Sequence, residues 1–161
     1  MRKDNKTMWL WIIISILVIA GDQLTKQLVI SYIGPYDTIS VIPHVLDFVY
    51  VKNTGAAFSI FAGKTWFLAL ISLFVCIGLI YYLIRYKPEH KLFISSIALV
   101  LGGAAGNLID RAFRGSVVDF IEVIFIEFPV FNVADIAITV GAVLLMVYVI
   151  FFDREQIEKR A

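Results

Sequence analysis

The chain has 161 residues, of which 60% are hydrophobic and 17% charged, with a formal net charge of +1. A water-soluble domain is nearer half apolar and a quarter charged, so these figures point to a polytopic membrane protein and give no basis for nucleic-acid binding. At about 20 apolar residues per helical span, the length accommodates four spans and no separate soluble domain.

Arg2, Lys3 and Lys6 precede an apolar run from Met8 to Ala20, which has the outline of a cleavable signal peptide. Apolar character resumes at Leu24, Leu28, Val29 and Ile30, so the segment predicts a full first span over residues 8–31, ended by Gly34-Pro35. Within it, Asp22 and Lys26 are four apart and share a helix face. They form a neutralising ion pair, a support for a polar site inside the bundle, or both.

Residues 35–64 form the first outer segment. Thr38–Ile42 and Leu46–Val51 are rich in β-branched and aromatic residues and predict short strands broken by Pro43-His44. The run K-N-T-G-A-A-F-S follows, with Asn53 and Gly55 as turn signals and Ala56, Ala57 and Phe58 as an apolar patch too short to span. Such a small sheet needs the bilayer surface or the helix ends to pack on.

The second span, residues 65–86, has Trp66, Tyr81, Tyr82 and Tyr86 near its ends, as interfacial aromatics do, and reads as a lipid-facing structural helix. The single cysteine, Cys76, lies inside it as a buried small hydrophobe. The third span, residues 92–109, turns small-sided at Gly102-Gly103-Ala104-Ala105-Gly106. That face either packs another helix closely or leaves room for a substrate chain. Asn107, Asp110 and Arg111 follow it at once, and Asn107 and Arg111 share a face from which they could hydrogen-bond a substrate.

Residues 112–131 form the second outer segment, with strand-like or membrane-hugging runs at Val117–Phe120 and Val123–Ile126. The fourth span covers residues 132–152. Asn132 and Asp135 are spaced as a helix cap and a first-turn acid. Lysine and arginine counts set the orientation. Arg2, Lys3, Lys6, Arg85, Lys87, Lys91, Arg154, Lys159 and Arg160 fall on one side, which is therefore cytoplasmic; Lys52, Lys64, Arg111 and Arg114 fall on the other. Both termini are then inside, and Asp110, Asp119 and Asp135 lie near the outer face.

Carboxylates next to apolar spans are costly, roughly 2.5–3.5 kcal/mol per Asp at a span centre and less near its ends. Asp119 sits between Val118 and Phe120 as a loop carboxylate, a partner for Arg111 or Arg114, or one half of a pair with Asp135. The sixteen-residue separation lets the chain fold back as a hairpin and bring the two together. Two carboxylates in contact cannot both ionise easily, so such a pair holds one proton: one member draws a proton from water while the other polarises a peptide carbonyl. That chemistry needs neither metal nor cofactor. His44 and His90 fall on opposite sides of the membrane, and no H-E-x-x-H, G-x-S-x-G or phosphate-loop pattern occurs. Two other readings are a proton-coupled transporter or channel using Asp22, Lys26 and Asp110 as a relay, and a non-enzymatic membrane adaptor.

The ordered motifs G-D-Q-L-T-K (21–26), N-T-G-A-A-F (53–58), G-G-A-A-G-N-L-I-D-R (102–111), V-V-D-F (117–120) and F-N-V-A-D (131–135) resemble those of the lipoprotein signal peptidase family, the membrane aspartic peptidases known as signal peptidase II. The resemblance implies Asp119 and Asp135 as the catalytic dyad, with Asp22, Lys26, Asn53, Gly55, Gly103, Asn107, Arg111, Asn132 and Ala134 shaping and supporting the site. It implies an all-α membrane protein with a small β part: a bundle of four transmembrane helices plus a small extracytoplasmic β-cradle. The implied reaction removes signal peptides from bacterial prolipoproteins, before a cysteine that already carries diacylglycerol. The expected setting is the bacterial cytoplasmic membrane, with membrane lipids and lipid-modified prolipoproteins as partners of a monomer.

Overall fold

The computed structural model describes residues 4–35, 37–55 and 60–153. Arg2, Lys3, Arg154, Lys159 and Arg160 of the charge count, the side chain of Lys6, and Ala56, Ala57 and Phe58 lie outside the described residues. The elements run α1 (Asp4–Tyr32), β1 (Ile39–Ile42), β2 (Leu46–Asn53), α2 (Thr65–Tyr86), α3 (Lys91–Phe113), β3 (Val117–Val123) and α4 (Val133–Tyr148), which widens into a π-helical turn at Val149–Asp153. Among the described residues, four helices are long and apolar enough to cross a membrane: Met8–Tyr32, Thr65–Tyr86, Lys91–Phe113 and Val133–Phe152. The third continues past the expected residue 109, so Asp110, Arg111 and Phe113 are helical.

α3 is the central helix and contacts all three others. Its small residues are the reason. A side chain at Gly102 would stand 2.7 Å from Val18 Cβ, and one at Gly103 would stand 2.4 Å from the Ala134 carbonyl oxygen. One at Gly106 would meet Asp22 Oδ2 at 2.6 Å. The glycine face is thus filled by α1 and α4, and the expected substrate passage along it does not exist. Close backbone approach, not a vacant slot, is what these glycines permit. α2 packs mainly on α3 through Cys76, Leu83, Ile97, Leu101 and Ala104, and leaves most of its surface to the bilayer.

The three strands form one antiparallel sheet in the order β1-β2-β3. β1 and β2 are joined by a turn in which His44 adopts a left-handed backbone (φ 61°). β3 joins β2 only after the chain has run through α2 and α3, pairing Val51 with Asp119 and Asn53 with Val117. Strand alternation then sorts the side chains. Val118 and Phe120 pack down on Val29 of α1 and on Ile33 just beyond its end, while Asp119 takes the opposite face. The helix ends therefore supply the surface this small sheet requires. After β3 the chain turns at residues 124–127, which form no strand, and returns so that Phe131 pairs with Ile121. That return carries the chain into α4.

Candidate active site

Asn132 starts α4 with a reciprocal cap. Its Oδ1 accepts from the Asp135 backbone N–H at 3.0 Å, and Asp135 Oδ2 accepts from the Asn132 N–H at 3.1 Å. The cap satisfies donors that a helix start leaves open, and it leaves Asp135 Oδ1 to face α3, where Asn107 Nδ2 donates to it at 2.9 Å.

Asp119 is held from two sides. Asn132 Nδ2 donates to Oδ1 at 2.6 Å and Asn53 Nδ2 donates to Oδ2 at 2.9 Å. Neither Arg111 nor Arg114 is its partner, contrary to the ion-pair option. Arg114 pairs with Asp110 instead, and Arg111 Nη2 donates to the Gly55 carbonyl at 3.2 Å. Gly55 N–H in turn donates to Asn53 Oδ1 at 2.8 Å, which fixes the amide that faces Asp119. Burial pushes the Asp119 carboxyl up to about 6, and the charge of Asp135 adds to the rise.

Beneath these groups lies a buried ion cluster. Lys26 Nζ sits 2.8 Å from Asp22 Oδ2, 2.9 Å from Asp110 Oδ2 and 2.9 Å from Asn107 Oδ1. Asp22, Lys26 and Asp110 are all fully buried. The two charges of the first helix thus neutralise one another, and Lys26 also contacts Asn107 and Asp110 of α3.

Asp119 and Asp135 line one cavity of about 440 Å³ together with Asn53, Asn107 and Arg111. Its apolar walls come from Phe128–Phe131 and from Ile136, Ile138 and Val140 of α4. A second cavity, of about 240 Å³, adjoins at Asn53 and Asp119 and reaches Thr54, Gly55 and Ala62. Asp22, Lys26, Gly103, Asn132 and Ala134 stand behind these walls. Gly103 lets Ala134 approach α3, and the Ala134 N–H donates to Asp22 Oδ1 at 3.0 Å. Asn107, whose oxygen accepts from Lys26 and Asn132 and whose amide donates to Asp135, also lines the cavity, where a substrate can reach it. Arg111 Nε is buried without a partner among the described residues.

A model of the family Signal peptidase (SPase) II matches residues 14–151. The chain belongs to the signal peptidase II family.

Two relatives bear the name lipoprotein signal peptidase. That of Bacillus velezensis is 46% identical over 144 residues, covering 88% of this chain and 94% of the relative. That of Lactobacillus johnsonii is 43% identical over 146 residues, covering 91% and 95%. A bacterial membrane enzyme solved by the in meso method superimposes with a TM-score of 0.82 at 37% identity, over 87% of each chain. A second such structure gives 0.80 at 36% identity, over 88% of this chain and 93% of the other. This signal peptidase II family member is accordingly a multi-pass membrane peptidase, with four apolar helices and a three-stranded sheet.

Three contributors were not singled out from sequence. Gln23 Nε2 donates to Asp110 Oδ1 and to the Gly106 carbonyl, at 3.1 Å each, and so ties α1 to α3. The Phe128–Phe131 return and the outward face of α4 supply the apolar walls. The recurrence of apolar residues at 136 and 140, one turn apart just after Asp135, was the available signal.

Proposed function

We propose that this chain is an aspartic endopeptidase that removes signal peptides from diacylglyceryl-modified prolipoproteins, cutting before the lipidated cysteine, with Asp119 and Asp135 as its catalytic dyad. The observation that carries this reading is their placement on one cavity, linked through the single side chain of Asn132.

The chemistry follows from proton sharing. With one proton on the pair, the ionised carboxylate takes a proton from an attacking water. The protonated carboxyl hydrogen-bonds the scissile carbonyl and stabilises the developing oxyanion. Burial raises the pKa of Asp119 to about 6, which supports a proton shared on the pair. Asn53, Asn107 and Asn132 hold the carboxylates without adding charge, so the pair keeps its single proton.

The substrate class is supported by where the cavity opens. Ile136 and Val140 are 43% and 44% exposed, on the side of α4 that faces lipid, so an acylated chain can reach the dyad laterally from the bilayer. The reading places the protein in the bacterial cytoplasmic membrane as a monomer, both termini inside, the dyad at the outer face and membrane lipids around the helices. Arg85, Lys87 and Lys91 cluster at the facing ends of α2 and α3, and Lys52, Lys64, Arg111 and Arg114 lie at the opposite end with the sheet, which supports that orientation. A proton relay through Asp22, Lys26 and Asp110 finds no support, because the three are gathered in one buried ion cluster instead of being spread as steps along the helices.

The test is to incubate purified protein with a diacylglyceryl-modified precursor and its unlipidated twin, with and without a metal chelator. Cleavage of the lipidated form alone, unaffected by chelator, is expected. Equal cutting of both forms, or none of either, contradicts the proposal.

A further inference from the structure

We propose that Lys26 is the positioning hub of the dyad: through three buried partners it fixes the backbone before each carboxylate and the amide between them. This rests on the reading of Asp119 and Asp135 as the reacting pair. Lys26 does not line the cavity, so it acts through other groups.

A lysine ammonium has three donors and no acceptor. Here the three face Asp22, Asp110 and Asn107. Each partner extends one arm toward the site. Asp22 Oδ1 accepts from the N–H of Ala134, the residue before Asp135, at 3.0 Å. Asp110 Oδ2 accepts from the N–H of Val118, the residue before Asp119, at 3.1 Å. One cation therefore anchors α4 and β3 at matching positions, each one residue short of a dyad carboxylate.

The third arm sets an orientation. Asn107 Oδ1 accepts from Lys26 and, at 3.3 Å, from Asn132 Nδ2. Rotating that amide by half a turn would set its NH2 group against an ammonium and its oxygen against the Asp135 carboxylate, a donor–donor and an acceptor–acceptor clash in a buried site. With Lys26 present, Asn107 can only donate to Asp135. A hydrophobic residue at position 26 would fill the space and leave the amide free to turn.

Two variants test this. Asn107→Asp keeps an acceptor for Lys26 and Asn132 but turns an oxygen toward Asp135. Lys26→Met with Asp22→Asn removes one charge of each sign and leaves Asp110 paired with Arg114. Both are assayed for kcat and KM on a lipidated precursor, with folding followed by thermal unfolding in detergent. Each is expected to lose roughly 10- to 100-fold in kcat, the scale of a small misplacement at a reacting centre, while KM stays within about threefold. In Asn107→Asp the pH–rate profile is also expected to move, because a third carboxylate then stands against Asp135. The charged groups around position 107 are Lys26 and Asp22 from α1, Arg111 and Asp110 from α3, Asp119 from β3 and Asp135 from α4. A purely structural role predicts that the folded double variant turns over at the wild-type rate; that result, or wild-type turnover by Asn107→Asp with an unmoved profile, overturns the proposal. If the double variant fails to fold, Asn107→Asp decides alone. Cleavage by Asp119→Asn would instead remove the dyad reading, so the two failures are distinguishable.

Discussion

Asn132 Nδ2 lies 2.6 Å from Asp119 Oδ1, so the residue that caps α4 also fixes a carboxylate on β3. Its other end holds the Asp135 N–H. A single side chain thereby couples the start of a helix to the spacing of two acids. Asn132→Ala removes both bonds. Loss of the cap is expected to cost about 0.5–2 kcal/mol, read as a lower unfolding midpoint. The fall in kcat, measured well below that midpoint, is expected to exceed what the stability loss explains.

Asp119 makes stability depend on pH in a predictable direction. Its folded value of about 6 lies above the ordinary 3.8, chiefly because burial penalises the charged form. The folded protein thus keeps a proton that the unfolded chain releases. This contribution to stability is fully present below about pH 4 and is lost as pH rises through about 6. Asp119→Asn does not titrate there. Between about pH 4 and pH 7 the stability of the variant relative to wild type is expected to improve by about 1–3 kcal/mol. Unfolding midpoints of the two proteins across that range check the sign.

Asp22 is a structural ion. Asp22→Ala leaves Lys26 buried with one counter-ion fewer and strips the Ala134 N–H of its acceptor. Breaking a buried pair from one side typically costs about 3–5 kcal/mol. A large drop in unfolding midpoint is expected, with a smaller proportional loss of turnover in the molecules that remain folded.

Gly103 and Gly78 make a matched pair. A methyl group at Gly103 would sit 2.4 Å from the Ala134 carbonyl, whereas one at Gly78 meets nothing within 4 Å. Gly103→Ala is expected to push α4 outward, at about 1–3 kcal/mol, and to reduce activity because Asp135 moves with it. Gly78→Ala is expected to leave activity alone and to raise stability by up to about 1 kcal/mol through helix propensity. Comparing the two separates contact from propensity.

Much of this was legible in the chain itself. Apolar runs marked the helices, because a membrane span is a local property of about 20 consecutive residues. The three-residue step from Asn132 to Asp135 announced the cap, also a local device. The partners of Asp119 were not legible, because they depend on pairing β2 with β3 across the whole of α2 and α3. The same holds for Arg114, whose choice of Asp110 follows from the helix continuing to Phe113. The glycines of α3 admitted two readings, and only the packing of Val18, Asp22 and Ala134 against them decides for close contact. The pairing of Asp119 with Asp135 itself came from the resemblance of ordered motifs; spacing alone permitted it without requiring it.

Asp119 and Asp135 share one cavity. The most direct measurement is turnover of a diacylglyceryl-modified precursor by Asp119→Asn and by Asp135→Asn, each shown to be inserted and folded by its unfolding profile in detergent. Cleavage is predicted to vanish in both. Wild-type turnover by either one would contradict the dyad.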